Sequence, residues 1–569
     1  MHRMMPVAIT ILAGTTTNLI AGGSPAGFTE RAQAAGCAHV HATVINAPDL
    51  EFMCAGGVVA DFDRDGDQDL FVIGGSSGYD RLYLNDGTGN FTDISVSAGV
   101  NRTHRGAGAC AGDFDNDGYI DIFVTSIGTS QSEAPGQNLL YRNNGDNTFT
   151  NIATSAGVTT TNPTRGDSYG AAFGDYDLDG DLDLAVSGYF GGSRLFQNNG
   201  DSTFTDVTAA ALPADIDQMR AFAPRFLDMD GDRYPEILWV ADFFTSRYLI
   251  NNTDGTFTDA TVASGTGIDS NGMGNAYADL DNDGDFDWYV TSRINSQGMG
   301  GSGNMLYMQG PTPHTFAEVS VATGVNFGYW GWGSDAQDFD HDADADIIAT
   351  NGFTFANEID PTRFFVNDGT ANFTEESATY GLDDTAQGRG LLTSDLDNDG
   401  DRDILIFNNR QPMLLYRNNT ENPSSNAITI AIDTAGIDGL APDGFGTLIT
   451  ATTTAVTQQR AIDGGSNYLA QSELSAHFGL GSASSADITI TYADGVMDTF
   501  PNVAAGRYTI ARLACLADYN RDSNVNFFDI STFISLYSSA HPMADFNRDG
   551  TFNFFDISTF IAAFNAGCP

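Results

Sequence analysis

Acidic side chains at alternating positions, broken by a glycine, are the residues of this chain best suited to chemistry. Asp61-Phe-Asp63-Arg-Asp65-Gly66-Asp67-Gln-Asp69 places carboxylates at positions 1, 3, 5 and 9 and a main-chain carbonyl at position 7. This makes a small oxygen cage around a turn that glycine permits, and hard calcium ions prefer such cages. The pattern is written seven times. The other expected ligand sets are Asp113, Asp115, Asp117, Tyr119 and Asp121; Asp175, Asp177, Asp179, Asp181 and Asp183; Asp228, Asp230, Asp232 and Glu236; Asp279, Asp281, Asp283, Asp285 and Asp287; Asp338, Asp340, Asp342, Asp344 and Asp346; and Asp395, Asp397, Asp399, Asp401 and Asp403. One loop would be a weak sign. Seven in register also specify a fold, because internal repetition at this period marks a repeat architecture.

The elements that must position these loops are strands. An apolar run follows each loop, and a second strand then ends near Asn and Gly before Phe-Thr-Asp or a relative. Leu82-Tyr83-Leu84-Asn85 with Phe91-Thr92-Asp93 is one example, and Leu140-Tyr141-Arg142-Asn143 with Phe149-Thr150-Asn151 another. Alternating apolar residues about an Asn/Gly turn predict a β-hairpin. The period accommodates a four-stranded propeller blade, whereas a solenoid would need capping repeats. The seventh loop leads to Leu414-Leu415-Tyr416-Arg417-Asn418-Asn419 and then to no Phe-Thr-Asp. Phe28-Thr29-Glu30 and Ala35-Gly36 match the missing piece, so the N-terminal strand is expected to complete the seventh blade and remove an open sheet edge.

Composition points outside the cell. The formal net charge is −50, all 24 basic residues are Arg, and 33 of the 74 acidic residues lie in the seven loops. A merely solvated acidic surface would not require that periodicity. The charge argues against nucleic acid or an anionic membrane as partner. Residues 1–26 read as a signal peptide, with His2 and Arg3 before an apolar stretch and small residues near 21–26. No later segment is long and apolar enough to span a membrane. In an oxidising compartment Cys515 and Cys568 are expected to pair, Cys37–Cys54 is the next choice, and Cys110 reads as a small buried residue.

The loops and hairpins over residues 28–420 resemble FG-GAP/VCBS repeats, the calcium-loop blades of many extracellular propellers. Two copies depart from the pattern. The fourth moves its glycine to Gly231 and closes with Glu236, and the sixth puts Ala343 at the turn, where left-handed backbone costs about 1 kcal/mol. These two are expected to be the weakest sites.

After a linker, Thr420 to Asn426, alternating strands at Ile428–Ile432, Leu448–Thr452 and Ile488–Tyr492 carry Gly464-Gly465-Ser-Asn-Tyr468-Leu-Ala-Gln471-Ser472 and His477-Phe478-Gly479-Leu480-Gly481. This set resembles the ASPIC/UnbV domain of cartilage acidic protein-like chains, although Tyr492-Ala493-Asp494 stands where Trp-Pro is common. His477 reads as structural. The last module is a tandem repeat at 27-residue spacing, with loop positions Asp518, Asn520, Asp522, Asn524, Asn526 and Asp529 recurring as Asp545, Asn547, Asp549, Thr551, Asn553 and Asp556. Each loop fits an EF-hand-type calcium site and is followed by an apolar helical stripe. The module resembles a type I dockerin, which implies a cohesin-like or other cell-surface anchoring partner; Phe527-Phe528 and Phe554-Phe555 replace the usual small polar recognition residues.

The expected architecture is therefore mainly β. A signal peptide over 1–26 precedes a seven-bladed β-propeller with calcium loops over 27–420. A small β-rich domain over 426–513 and a C-terminal α-helical, dockerin-like EF-hand pair over 515–569 follow. The expected function is secreted, non-catalytic, calcium-dependent adhesion or scaffolding. The alternative is a polysaccharide-binding or polysaccharide-degrading component. Degradation would need a free carboxylate pair or a basic residue in the channel, and no nucleophile motif appears, so no catalytic residue is assigned. Counting back eight and six residues from each loop's first Asp gives two sets on the strand before it, among them Arg105, Arg220, Trp330, Trp332 and Arg389. If that strand is innermost, these residues ring the channel mouth as a candidate ligand surface, with an acidic polysaccharide as the expected ligand.

Overall fold

The computed structural model describes residues 27–43, 50–128, 136–159, 167–294, 300–353, 360–419, 425–522 and 524–568. The expected signal segment and most of the linker lie outside them. Among the described residues the chain is mainly β, built from repeated four-stranded antiparallel sheets like the blades of a propeller. The second repeat is representative: Gly106–Gly112, Asp121–Ser126, Leu139–Asn143 and Phe149–Asn151 pair in sequence order. Each acidic loop joins the first strand to the second.

The first strands face one another. Gly57–Ala60, Gly106–Gly112, Ser168–Gly174, Ala221–Leu227, Asn275–Ala278, Gly331–Gln337 and Gly388–Ser394 each lie beside the next, and the last lies beside the first. The glycine five residues before six of the seven loops, with Ala223 before the fourth, explains how they come so close. A Cβ on Gly170 would stand 2.1 Å from the Phe222 carbonyl oxygen, on Gly274 2.2 Å from that of Trp332, and on Gly333 2.5 Å from that of Arg389. A Cβ on Gly390 would stand 2.8 Å from the Ala55 oxygen, back on the first sheet.

The sheet of the seventh loop is completed from the other end of the chain. Thr29–Glu30 pairs antiparallel with Leu414–Arg417, with Thr29 opposite Arg417. Phe28 is buried edge-on against Phe339 and Phe364, with ring centroids 5.9 and 6.1 Å away. Deleting Phe28 to Gly36 should therefore uncover both a sheet edge and an apolar cluster, giving aggregation on size-exclusion chromatography. A monomeric deletion variant that melts with the parent would show that this strand is dispensable.

Two further sheets follow, Asn426–Asp433 with Ala476–Gly481 and Gly506–Ala511, and Leu448–Thr452 with Thr457–Ala461, Ser485–Thr491 and Met497–Ala504. Their shared core extends into the C-terminal helices Phe527–Ser538 and Phe554–Ala566, where Phe533 stacks on Phe560 at 4.1 Å. Cys515 and Cys568 form a disulfide across this module. Cys37 and Cys54 do not pair: both are buried thiols in different apolar clusters, facing the carbonyls of Ala32 and Leu50.

Between the two β sheets of the second domain, residues 463–473 leave it and enter the space enclosed by the first strands. Ala470–Gln471 adds a parallel strand to the first sheet. Gln471 bonds both main-chain groups of Ala111, and Gly464 bridges Phe173. Ser466 donates to Pro224 and the Asn467 carbonyl accepts from Asn275 and Ser334, while Glu473 donates to Thr393. Among the described residues, each of the repeat sheets thus touches this one segment. At its tip Tyr468 and Leu469 are fully buried, and both have positive φ, 129° and 55°. Left-handed backbone at two successive large residues persists only where surrounding contacts over-determine it.

Candidate metal centres

Each acidic loop holds its own conformation by carboxylate–amide bonds. In the first, Asp61 accepts from the amides of Asp65 and Gly66 at 3.1 and 2.9 Å, and Asp69 accepts from Phe62 and Asn85 at 3.1 and 2.9 Å. Asn85 then donates from its side chain to the Leu396 carbonyl in the seventh loop. The same tie recurs from Asn143 to Phe62, Asn198 to Phe114, Asn251 to Tyr176, Gln309 to Met229, Asn367 to Leu280 and Asn418 to Phe339. These six Asn residues and Gln309 lock each loop to the next sheet. The sequence marks them only as hairpin ends.

The turn chemistry is richer than one glycine. Position 6 has φ near 80–100° in every loop, including Arg233 at 82° and Ala343 at 86°. Position 4 is also left-handed, as in Arg64 at 63°, Asn116 at 57° and His341 at 60°. The glycine of the fourth loop has therefore moved from one left-handed position to the other, with Gly231 at 79°. Arg233 still donates its amide to Asp228 at 2.8 Å, as the glycine does elsewhere.

These amide bonds leave one oxygen of the position-3 carboxylate unused. Oδ1 of Asp63, Asp115, Asp177, Asp281, Asp340 and Asp397 is buried without a hydrogen-bond partner. In the first three loops, oxygens from positions 1, 3 and 9 lie within 4.8 Å of one another. Burial, with the neighbouring loop carboxylates adding to it, pushes Asp61 and Asp395 up to about 6, Asp113, Asp175 and Asp279 to about 7, and Asp69 to about 8. It pushes Asp121, Asp183, Asp287, Asp346 and Asp403 well above the usual carboxylate range. Converging buried carboxylates with a spare oxygen are a fit for a hard divalent cation, which would let them ionise together.

Similarity to known proteins agrees with the repeat. Residues 61–124, 127–186, 175–239 and 228–290 match the FG-GAP-like repeat, and residues 438–513 match ASPIC and UnbV. The chain carries FG-GAP-like repeats and an ASPIC/UnbV domain. It is 24% identical to human cartilage acidic protein 1 over 422 residues, 73% of this chain and 44% of that protein. It is 25% identical to the mouse protein of the same name over 280 residues, 45% of this chain and 42% of that one. The chain thus aligns with less than half the length of these relatives. Among solved structures, a lectin, BP39L of Burkholderia pseudomallei, is similar with a TM-score of 0.41 and 12% identity over 64% of this chain and 96% of that one.

The ASPIC/UnbV domain sits on the acidic loops. Arg64 pairs with Asp443 at 3.3 Å, Arg233 donates to the Ala493 carbonyl, Gln459 donates to Gly284, and Gly481 donates to His341. Glu473 is buried between Arg402 and Arg507 at 2.6 Å each and also accepts from the Asp395 amide. These arginines hold its carboxylate well below the usual range despite its burial. His477 is buried with Nδ1 3.0 Å from Thr429 Oγ1 and held neutral by burial, so its part is structural.

The channel-mouth residues separate into two levels. Trp332 and Arg389 lie inside and not on the rim; each is 1% exposed. Tyr468 of the inserted segment packs against Trp332 at 5.3 Å, and the Arg389 guanidinium lies 4.1 Å from the Trp332 ring while donating to the carbonyls of Phe52 and Gly352. Arg105, Arg220 and Trp330 are half-buried at the rim. Arg105 approaches Glu51 at 4.0 Å, Arg220 donates to the Tyr189 carbonyl, and Trp330 stacks under Arg293 at 4.2 Å.

In the C-terminal pair, Asn526 and Asn553 cap the two helices in reciprocal bonds with Asp529 and Asp556. Asp518 and Asp545 accept from the amides of Asp522 and Asp549. The two loops repeat one geometry, with Arg521 and Arg548 both at φ 57°. Among the described residues no helix is long and apolar enough to cross a membrane.

Proposed function

We propose that this chain is a secreted, non-catalytic, calcium-binding scaffold or adhesion protein. In this reading a closed seven-bladed propeller is held by calcium, capped by its ASPIC/UnbV domain, and anchored by a dockerin-like C-terminal module. The observation that carries it is the buried, partnerless position-3 oxygen repeated in six of the loops. The filled channel supports scaffolding, because the space in which a propeller would hold a substrate contains Tyr468 and Leu469. Relatives named for cartilage support an extracellular setting.

The anchoring role rests on Phe527, Phe528, Phe554 and Phe555, which are 71, 65, 72 and 64% exposed at equivalent places on the two helices. Apolar anchors of this kind usually dominate an interface. Replacing all four with Ser should release the protein from its cell surface or complex and leave its melting temperature unchanged. Equal retention of the variant and the parent would reject the anchoring role.

A second reading, acidic-polysaccharide binding at the rim, draws on Trp330 and Arg293. Trp330→Ala should then abolish retention on an immobilised sulfated polysaccharide with calcium content unaltered. Undiminished retention would remove this reading, and cleavage of the polysaccharide would replace it with an enzymatic one.

A further inference from the structure

The fourth loop differs from its sisters on both sides of the cation position. It closes with Glu236, 1% exposed, where the others close with Asp. Both oxygens of its position-3 carboxylate, Asp230, have partners: Oδ1 accepts from the Asp232 amide, and His314 Nε2 lies 3.1 Å from Oδ2. His314 comes from the turn of the next sheet, two residues before the strand Phe316–Glu318. Residues at the equivalent place are Gly89, Asn147, Ser202, Gly255 and Ala371, and all of them share its left-handed backbone, His314 at φ 58°. Ser202 Oγ approaches the position-3 Asp115 at 3.4 Å in just this way. Only the fourth site receives an imidazole there.

The imidazole is set up as a ligand. Its Nδ1 is 2.8 Å from the hydroxyl of fully buried Tyr248, which leaves Nε2 facing the carboxylates. A ligating histidine commonly has its other ring nitrogen engaged in this way. Donor atoms of Asp230, Glu236 and His314 all lie within 4.8 Å of one another. Beside them, Gln309 is 8% exposed and lines the same roughly 210 Å³ cavity as Asp228 and Asp230, and its Oε1 has no partner. Zinc takes nitrogen and carboxylate ligands at about 2.0–2.2 Å, so two such ligands at a tetrahedral angle stand about 3.3 Å apart, close to the spacing of His314 and Asp230. Calcium takes six to eight oxygens and gains little from imidazole.

We propose that the fourth loop holds a borderline divalent metal, Zn²⁺ by its donor set, through Asp230, Glu236 and His314, while its sister loops hold calcium. The proposal rests on reading the acidic loops as cation sites but not on which cation the other six take. The test strips the full chain with chelator, dialyses it against excess Ca²⁺ with trace Zn²⁺, and measures bound metal by elemental analysis. One Zn²⁺ per chain should remain. His314→Asn, which places at this turn the side chain already used at 147, should fold normally and lose that Zn²⁺ affinity by at least about tenfold, and Tyr248→Phe should lose about tenfold. Zn²⁺ retained equally by His314→Asn, or fully displaced by Ca²⁺ from the parent, overturns the proposal. Zn²⁺ bound with no Ca²⁺ at all would instead overturn calcium in the sister loops and leave this site standing.

Discussion

Excess chelator should lower the melting temperature of this protein by tens of degrees. Six loops each present a buried position-3 oxygen without a partner, beside carboxylates that burial holds protonated when no cation is near. A ligand present at a hundred times its Kd adds about 2.7 kcal/mol per site, so six independent sites add roughly 16 kcal/mol. That exceeds the ~5–15 kcal/mol by which whole domains are stable. The sign of the pH dependence should also invert. Without metal, loop carboxylates whose folded pKa stands at about 6 to 8 bind more protons folded than unfolded. Their contribution is therefore present in full only below the ordinary carboxylate value of 3.8 and is lost as pH rises from there through their folded values of about 6 to 8. With calcium, protons compete for the ligands, and stability should fall as pH falls. Calorimetry in chelator and in calcium at several pH values checks both statements. A melting curve indifferent to chelator would end the calcium reading.

The second large effect is expected at the inserted segment. Tyr468 is fully buried among Phe222, Trp332 and the Met53 carbonyl, to which its hydroxyl donates at 2.8 Å. Tyr468→Ala should cost about 3–5 kcal/mol as a large-to-small core change, and Tyr468→Phe only about 1 kcal/mol for the lost hydrogen bond. Replacing residues 464–471 with a Gly/Ser linker removes contacts with most of the sheets at once. The parent should melt as one cooperative unit, and the replaced variant should show separate transitions for the repeats and for the C-terminal domains. A single transition at the parent temperature would mean that the segment contributes no coupling.

The acidic loops were legible as repeated units because their carboxylates recur at fixed spacing about a left-handed turn that glycine suits. The missing fourth strand was legible for the same reason, since Phe28-Thr29-Glu30 repeats a string found in the complete units. Depth was not legible. Alternation along the first strand correctly groups Trp332 with Arg389, but it cannot say that this level lies beneath a segment arriving from about residue 468. In the sequence, Gly464 to Ser472 serves only as part of the resemblance to the ASPIC/UnbV domain. Its buried role rests on Asn467, whose side-chain oxygen accepts from the Arg225 guanidinium, and on Gln471, whose amide bonds the main chain of Ala111, partners 242 and 360 residues away. Arg389 looked like a ligand-binding cation, and its actual partners are carbonyls and an indole, which leave no trace in spacing. Position 4 of the loops went unnoticed as a left-handed site because Asn, Arg, Leu and His all occupy it.

The way both ends of the repeat array are finished bears on how long the protein takes to fold. Asn419 bonds the Gly27 carbonyl across 392 residues of chain, and Gln471 reaches Ala111 across 360. Contacts of such span form late, because a loop must close before they can reward it. During synthesis the strand Thr29–Glu30 is made long before the sheet it completes, and the first sheets long before the segment that fills the space between them, so apolar surface faces water for that interval. The periodic acids then have a second value. At a net charge of −50, mutual repulsion among half-built copies disfavours their association while the two final contacts are sought.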